Sequence, residues 1–394
     1  MIEPNNIMES SYKNGRLAFI TPKLSPESGQ GLGVQKKIQG QVRAFQKLGF
    51  HVELFDFAPY EYGFNILKDL LHARAYNRKN YQECIERLQS YRPDVLYIRY
   101  NFSDSHFIFF LKNIRQSLGP GIPIFLEIAT YPYGRELRSS GRPGLLYLYL
   151  ADLLYRRNLR SYIDCVITYS DYRSIFSIPA LKINNGVDTE AIQPAVFSEK
   201  DDRAGYHFIG VSNLVYWTGY ERMIQGLADY QQEGSGKKIY FNIVGDGLFL
   251  EPLQRLVDQR GVKDYVIFHG AHTGESLDNL FRDKHLAIGN LGVHRKGMVT
   301  NPDLKNREYC ARGIPFITST RDPGFPPDFP YLLSVPPDES PVQIRELVNF
   351  ADNLRLKKPE YAAAMREFAE KNFDWSVTLK PVAKRIKEAV EQKR

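Results

Sequence analysis

Short apolar runs and amphipathic stretches alternate along the first half of the chain. Residues 16–21 (RLAFIT) are apolar and bounded by turn-forming residues, which predicts a buried β-strand. Val34, Ile38 and Val42 follow at helical spacing and predict a helix from 34 to 48. Further strands are predicted at 51–57, 94–100, 122–130, 164–170 and 180–186. Strands that alternate with helices are typical of a parallel sheet covered by helices on both faces.

The alternation breaks once and then starts again. Residues 191–204 are polar and lack apolar periodicity, which predicts a linker. Beyond the linker, strands are predicted at 206–212, 238–245, 265–270, 285–290 and 315–319. The pattern therefore predicts an α/β chain with two tandem, doubly wound, Rossmann-like domains that face a cleft. We expect an N-terminal domain over 16–190, joined by a last helix at about 375–394 that packs back on it, and a C-terminal domain over 205–374.

Composition narrows the classes of function. The chain has 394 residues and a formal net charge of +7, which suits an anionic small ligand or an acidic membrane surface. No apolar run is long enough to span a bilayer and no secretory signal is evident, so we expect a cytoplasmic protein. The three cysteines lack metal-binding spacing, which predicts neither a disulfide nor a zinc site. Nucleic-acid-binding motifs are missing from the sequence, so we expect no nucleic-acid partner.

A glycine-rich segment precedes the first predicted helix. Gly31 and Gly33 stand in the sequence GQGLG at 29–33, and glycines at a helix N-terminus let backbone N–H groups approach an anion. The spacing is GxGxG, and seven residues separate it from the strand, so it departs from the dinucleotide-binding fingerprint. We expect a mobile loop over the cleft that helps to bind a donor. A loop without a ligand is the alternative.

Charged residues open a predicted helix at 304–312. Leu304 and Lys305 lie in its first turn, where N–H groups and a lysine together form a cradle for a diphosphate. Glu308 stands one turn later and could accept hydrogen bonds from ribose hydroxyls. Arg307, next to Glu308, should point elsewhere and serve the structure. A solvated, charged helix start is the alternative.

Four motifs occur in an order that resembles one enzyme family. They are NNGVD at 184–188, IVGDG at 243–247, VIFHG at 266–270, and the Glu308 helix followed by ARGIPFITS. This order resembles the retaining glycosyltransferases of the GT-B fold, family 4 (group 1) type, and neighbouring segments resemble a capsule and exopolysaccharide subgroup. The resemblance implies transfer of a sugar from a nucleotide-diphosphate donor to a glycan or lipid-linked acceptor in polysaccharide biosynthesis, without a metal cofactor.

The chain departs from that family at three positions. The family's first acidic residue falls on Thr300, and its Arg and Lys that hold the donor diphosphate fall on Asn213 and Thr218. We expect other cations, Lys305 first and Arg295 next, to stabilise the leaving diphosphate. The expected donor site comprises Gly31, Gly33, Asn213, Thr218, Gly245, Asp246, Gly247, Arg295, Leu304, Lys305 and Glu308, with Lys305 also catalytic. A nucleotide-sugar epimerase or phosphorylase of the same fold, and a non-catalytic scaffold, are the alternatives.

The acceptor side is expected in the first domain. Glu127 stands near the end of the predicted strand 122–130, where a carboxylate could orient an acceptor hydroxyl or accept its proton. A structural partner of a nearby arginine is an equal alternative for Glu127. Tyr131, Tyr133 and Arg135 follow directly, and we expect them on the acceptor side. The segment 131–162 combines six arginines with six tyrosines, which predicts either peripheral association with an anionic membrane or a buried helix with an arginine-rich end.

Overall fold

The computed structural model describes residues 14–23, 29–57, 66–134, 143–197, 205–234 and 236–392. The chain divides into two compact units, and each is described by itself. The N-terminal unit takes residues up to 25, 38–184 and 378–394. The C-terminal unit takes residues 26–37 and 185–377.

The first part of the chain alternates strands and helices. Its strands are β1 (Arg16–Pro22), β2 (His51–Phe57), β3 (Val95–Arg99), β4 (Ile124–Ile128), β5 (Cys165–Thr168), β6 (Ser174–Ile175) and β7 (Ile178–Lys182). Its helices are α1 (Gly29–Lys47), α2 (Ile66–Tyr91), α3 (Ser105–Leu118) and α4 (Pro143–Tyr155). A 3₁₀ turn at Arg156–Ser161 follows α4 directly.

Local sequence explains where these elements begin and what they bury. In α3, the Asp104 side chain accepts a hydrogen bond from the Phe107 N–H at 2.7 Å, which caps the helix N-terminus. Phe107, Phe110 and Ile114 repeat at helical spacing and are buried against the sheet core. β1 and β4 are buried along nearly their whole length, as expected for central strands of a parallel sheet.

The N-terminal sheet has the strand order β2-β1-β3-β4-β5-β7-β6. All neighbouring pairs are parallel except β6 and β7, which form a short antiparallel pair. The register places Glu127 on β4 beside Arg99 on β3 and Ile167 on β5. The strand order reverses between β1 and β3, and the carboxyl ends of strands at such a point are the usual ligand-binding edge of an open sheet.

The C-terminal unit repeats the alternation. Its strands are β8 (Tyr206–Val211), β9 (Ile239–Val244), β10 (Val266–Gly270), β11 (Leu286–Ile288), β12 (Phe316–Thr318) and β13 (Leu332–Ser334). The remaining helices of the chain are α5 (Tyr220–Gln232), α6 (Leu250–Arg260), α7 (Gly274–Leu280), α8 (Leu304–Arg312), α9 (Ile344–Lys357), α10 (Tyr361–Asn372), α11 (Trp375–Thr378) and α12 (Lys380–Glu391). Short 3₁₀ turns lie at Tyr216–Thr218, Lys263–Tyr265 and Val293–Lys296.

All neighbouring strands of the C-terminal sheet are parallel, in the order β10-β9-β8-β11-β12-β13. Numbered within the unit, this is the order 3-2-1-4-5-6 of a Rossmann sheet, whose reversal lies between the first and fourth strands. The reversal point here is therefore the edge where β8 and β11 end. Apolar side chains cover both faces of the sheet: Phe208, Phe241 and Ile288 belong to the cluster on one face, and Ile209 and Val244 belong to the cluster on the other.

Two boundaries differ from the predictions. Helix α1 begins at Gly29, so Gly31 and Gly33 lie inside a helix and not in the predicted loop over 22–33, of which residues 24–28 are outside the described part. A glycine costs a helix only about 1 kcal/mol relative to alanine, so helical structure can extend through several glycines. The division between the units falls at 184/185, whereas the predicted linker was 191–204. Residues 191–197 belong to the C-terminal unit, where the Ala195 N–H donates to the Arg312 carbonyl at 2.8 Å.

The short strands β6 and β13 have no counterpart among the predicted elements. The last helix, α12, belongs to the N-terminal unit. Among the described residues, no helix combines the length and the hydrophobicity needed to cross a bilayer.

Candidate functional site

Lys305 lies at the reversal point of the C-terminal sheet. Its Nζ atom donates to Ser212 Oγ at 2.9 Å and to Asn290 Oδ1 at 2.9 Å. Ser212 directly follows β8, and Asn290 stands two residues beyond β11. The lysine thus joins the ends of the two strands between which the strand order reverses. An ammonium group has three N–H donors, so these two bonds leave a donor for an anion.

The start of helix α8 holds Lys305 in this place. Asp303 is the N-cap residue: its carboxylate accepts from the Lys305 N–H at 3.3 Å and from the Asn290 amide. Burial lowers the pKa of Lys305, and the nearby Asp303 carboxylate opposes this shift. The N-terminal N–H groups of α8 point along the helix axis, so the helix dipole and the ammonium group favour the same anionic ligand.

The glycine turn at 245–247 packs against the loop that follows β8. Gly245 has φ +133°, and a Cβ atom there would come within 1.8 Å of the Ser212 carbonyl oxygen. At Gly247 (φ +149°), a Cβ atom would come within 2.3 Å of the Leu214 carbonyl oxygen. Both positions therefore require glycine. Asp246 is exposed, and its carbonyl accepts from the Leu214 N–H at 2.8 Å, so the turn lies beside the Lys305 site.

Asn213 and Thr218 take part in hydrogen bonds within the loop that follows β8. Thr218 is buried, accepts from the Val215 N–H at 3.2 Å and donates to the Asn213 carbonyl at 3.3 Å. The side-chain oxygen of Asn213 faces Gly247. These neutral side chains stand where the resembled family has a donor-binding Arg and Lys, and Thr218 is engaged in the turn at 216–218. Their predicted contact with a donor stays a prediction.

Arg295 is paired with two carboxylates. Its guanidinium binds Glu339, with Nε to Oε1 at 2.9 Å, and also Glu221. The hydrogen bonds that Arg295 donates to Glu339, and secondly to Glu221, raise the pKa of Arg295 above its usual value, while burial opposes this shift. Its charge is thus shared with partners 74 and 44 residues away in sequence, and its expected role as a replacement cation stays a prediction.

Glu308 lies one turn after Lys305 and forms an ion pair. Its Oε1 accepts from Arg312 Nη2 at 2.8 Å, and its side chain is 25% exposed. Arg312 also pairs with Asp278 at 2.7 Å. A ribose could therefore reach Glu308 by sharing it with Arg312, because a carboxylate accepts several hydrogen bonds. Leu304, the first residue of α8, is half-buried. Donor contacts of Glu308 and Leu304 stay predictions.

A buried ion pair fixes helix α8 from the other side. Arg307 binds Asp322 through two hydrogen bonds of 2.8 and 3.0 Å, and both side chains are fully buried. Arg307 Nε also donates to the Asn185 carbonyl in the NNGVD motif at 2.8 Å. Arg307 is thus structural, as expected. Asp322, Ser212 and Asn290 were missing from the predictions, since only the strand order brings them to α8.

Glu127 occupies the centre of a buried polar cluster in the N-terminal unit. It is fully buried, pairs with Arg99 at 3.2 Å and accepts from the hydroxyls of Tyr97 and Tyr169 at 3.0 and 2.8 Å. Gln41 donates to it at 3.1 Å. These contacts are those of the second alternative, a structural partner of an arginine. The catalytic role of Glu127 stays a prediction.

The predicted acceptor-side tyrosines join a second cluster of this unit. The Tyr133 hydroxyl donates to Asp152 at 2.6 Å, and burial raises the pKa of Tyr133 above its usual value. Tyr131 packs edge-on against Tyr133 and Tyr172. Arg135 lies outside the described residues.

A metal site was not expected. Within the part of the chain that the structure describes, no three His, Cys, Asp or Glu side chains come together to hold a metal ion.

Comparison with known proteins connects this geometry to a family. Residues 196–327 match the family described as glycosyl transferases group 1. The match covers β8 to β12 with the Lys305 site and about a third of the chain. A search of the curated proteins finds no match.

Solved structures resemble nearly the whole chain. A glycosyltransferase from Rickettsia africae ESF-5 has a TM-score of 0.63 and 12% identity, with 96% of this chain and 100% of that chain covered. Sucrose-phosphate synthase from Thermosynechococcus elongatus has a TM-score of 0.60 and 16% identity, with 96% and 98% covered. Anabaena HepE in complex with UDP has a TM-score of 0.59 and 13% identity, with 95% and 100% covered. At these identities the likeness shows the fold, and the predicted GT-B fold class is confirmed.

Proposed function

We propose that this protein is a glycosyltransferase that transfers a sugar from a nucleotide-diphosphate donor with retention of configuration. The donor diphosphate binds at the carboxyl ends of β8 and β11 in the C-terminal unit. Lys305 carries the proposal, because its position between Ser212 and Asn290 puts a cation where a Rossmann sheet binds phosphates. The family match over 196–327 and the UDP named in the HepE structure support a nucleotide-sugar donor.

In this proposal, catalysis comes from stabilising the leaving diphosphate. Breakage of the bond between the sugar and the diphosphate adds negative charge to the phosphate oxygens. The ammonium group of Lys305 and the N–H groups at the start of α8 are held in place before the reaction, so they can stabilise this charge without reorganising. Glu308 holds the ribose, and the turn at 245–247 shapes the site. The cationic side chain then takes the part that a metal ion plays elsewhere.

The acceptor is a glycan or a lipid-linked sugar, and the reaction belongs to polysaccharide biosynthesis on the cytoplasmic side of a membrane. Tyr131 and Tyr133 support a carbohydrate acceptor, because tyrosine combines apolar area with a hydroxyl group. Arg135 remains part of the acceptor side in this proposal.

A non-catalytic scaffold is the second candidate. It is favoured by one observation: Thr300, Asn213 and Thr218 stand where the resembled family has functional acidic and basic residues, and Thr218 is used by its own loop. A scaffold of this kind would bind a partner enzyme and no nucleotide sugar.

A panel of UDP-, GDP-, ADP- and dTDP-sugars tests the two candidates. A donor at 100 times its dissociation constant should stabilise the protein by roughly 2.7 kcal/mol. The preferred donor is then incubated with glycan and lipid-linked acceptors, and NMR gives the anomeric configuration of the product. Stabilisation together with a product that keeps the donor configuration supports the proposal. Stabilisation by none of the donors supports the scaffold.

A further inference from the structure

Helix α4 exposes a row of leucines. Leu146, Leu150 and Leu154 have exposed fractions of 45%, 56% and 68%. They are spaced four residues apart, so they share one face of the helix. A surface helix of a soluble domain normally turns its leucines to the core and its charged residues to water.

The opposite face of α4 is held by a carboxylate. Asp152 is fully buried, and its oxygens accept from the hydroxyls of Tyr100 and Tyr133 and from the Ser103 N–H at 3.0 Å. Arg156 lies 3.6 Å from the same carboxylate. The helix thus buries its one acidic residue and exposes three of its six leucines, which an ordinary amphipathic helix of a soluble domain does not do.

Two exposed arginines follow the leucine face along the chain. Arg157 and Arg160 are exposed in the 3₁₀ turn that follows α4. Asp152 is the single acidic residue in 143–162, and it faces the interior. Tyrosines, which favour the headgroup level of a bilayer, stand at 147, 149 and 155 of the same helix. This segment therefore offers an apolar face beside two exposed arginines.

We propose that α4 is a membrane-docking helix that lies in the plane of an anionic bilayer surface. Its three leucines enter the acyl boundary, and Arg157 and Arg160 bind lipid phosphates. Thirteen residues span about 20 Å, and the hydrocarbon core is about 30 Å thick, so α4 lies on the membrane.

The geometry favours a bilayer over a second copy of the chain. A stable dimer buries about 800 Å² on each partner, and three partly exposed leucine side chains supply much less. The arginines beside them would repel the same arginines of a second copy across a symmetric contact, whereas they are complementary to anionic lipid.

Helix α4 is also hydrogen-bonded to loops on the predicted acceptor side. Asp152 links α4 to Tyr133, which follows β4, and to Ser103, which follows β3. A membrane-bound α4 would thus place these loops next to lipid headgroups. This last step rests on the proposed function, while membrane docking itself does not.

Flotation with vesicles of neutral and anionic lipid tests the proposal. We expect binding to anionic vesicles that weakens as salt rises, because surface charges are screened. The combined variant Leu146→Ser, Leu150→Ser and Leu154→Ser should lower the partition coefficient on the order of 10²-fold. Leu356→Ser is the matched control, since Leu356 is an 81% exposed leucine on α9 of the other unit.

The arginines are tested in the same assay. Arg157→Ala and Arg160→Ala should each weaken binding to anionic vesicles about fivefold at low salt, with little effect on neutral vesicles. Arg282→Ala, an exposed arginine of the C-terminal unit, should bind as the wild type does.

Two results overturn the proposal. The first is unchanged vesicle binding of the triple leucine variant. The second is a concentration-dependent dimer of the wild type that the leucine variant loses, with no vesicle binding by either, because the face would then bind a second copy. Nucleotide-sugar binding is measured on every variant. For the wild type, donor binding without vesicle binding rejects the docking helix alone, and vesicle binding without donor binding rejects the proposed function alone. For the triple leucine variant, normal donor binding shows that its loss of vesicle binding is not a loss of fold.

Discussion

The ammonium nitrogen of Lys305 lies 2.9 Å from the side-chain oxygen of Ser212, and the two residues belong to different strand-to-helix segments of one sheet: Ser212 follows β8, and Lys305 lies in the first turn of the helix that follows β11. The contact gathers the ends of β8 and β11 and the start of α8 around one cation. The strand order thus places one positive charge at the reversal point of the C-terminal sheet.

Glu308→Gln should keep the fold and weaken donor binding by about 1–3 kcal/mol, because a charge-assisted hydrogen bond to ribose is lost. Donor affinity measured by isothermal titration checks this prediction. Glu251→Gln is the control, since Glu251 forms the same i, i+4 pair with an arginine on α6. Equal donor affinity of the Glu308 variant and the wild type would show that Glu308 does not bind the donor.

Arg307→Met should lower the free energy of unfolding by about 3–5 kcal/mol, because it leaves the buried Asp322 carboxylate without its partner. Arg345→Met provides the comparison. The Arg345–Glu233 pair is about half exposed, and its loss should cost less than about 1 kcal/mol. Denaturant unfolding monitored by circular dichroism compares the two, and similar losses would contradict the assigned structural role.

Gly245→Ala should destabilise the C-terminal unit by on the order of 3 kcal/mol or more and abolish donor binding, because the new Cβ would collide with the Ser212 carbonyl. Gly261→Ala is the control that distinguishes the effect of a steric collision from the effect of backbone strain. Gly261 also has a positive φ (+67°), but open space surrounds the position of its Cβ. That variant should cost only about 1–2 kcal/mol and should bind the donor normally. Normal donor binding by Gly245→Ala would show that the turn at 245–247 is not part of the donor site.

Acid should destabilise the C-terminal unit through His207. Burial first, and the nearby Lys284 second, lower the pKa of His207 below its usual 6.5, while Asp283 opposes the shift. The unfolded chain therefore binds a proton at a higher pH than the folded chain, and stability falls as pH drops through about 6.5. His207→Phe keeps a ring against Tyr240 and should show a smaller loss of melting temperature between pH 8 and 5. An identical loss in both proteins would assign the acid sensitivity to other groups.

Sequence patterns predicted most of the fold because each element carries its own signal. The run of buried apolar residues in β1 and the charged start of α8 are local features, and the structure has both close to their predicted bounds. Glycines at 245 and 247 likewise marked a turn that backbone contacts require. The start of α1 was placed too late because glycine is only a weak signal against a helix.

The site was harder to predict because its residues are distant in sequence and become neighbours only in the folded sheet. Ser212 and Asn290 carry no motif. Ser212 becomes a neighbour of Lys305 only when β8 and β11 lie side by side, and Asn290 does so through the folding of the long connection between β11 and α8. The pairing of Arg295 with Glu221 and Glu339 likewise joins distant segments, so its charge could not be judged from the sequence. The apolar sequence of α4 fitted either a buried helix or a membrane-associated one. Which leucines are exposed depends on the orientation of the helix, and the buried Asp152 fixes that orientation.

Binding of nucleoside diphosphates to the Lys305→Ala variant tests whether the donor site lies at Lys305. Isothermal titration of the wild type with UDP, GDP, ADP and dTDP first identifies the diphosphate that binds. We expect Lys305→Ala to weaken binding of that diphosphate by about 1.5–3 kcal/mol, the range for a hydrogen bond to a charged group. Lys263→Ala, which removes an exposed lysine of the same unit, should bind as the wild type does. Equal affinity of Lys305→Ala and the wild type would contradict a diphosphate site at the ends of β8 and β11.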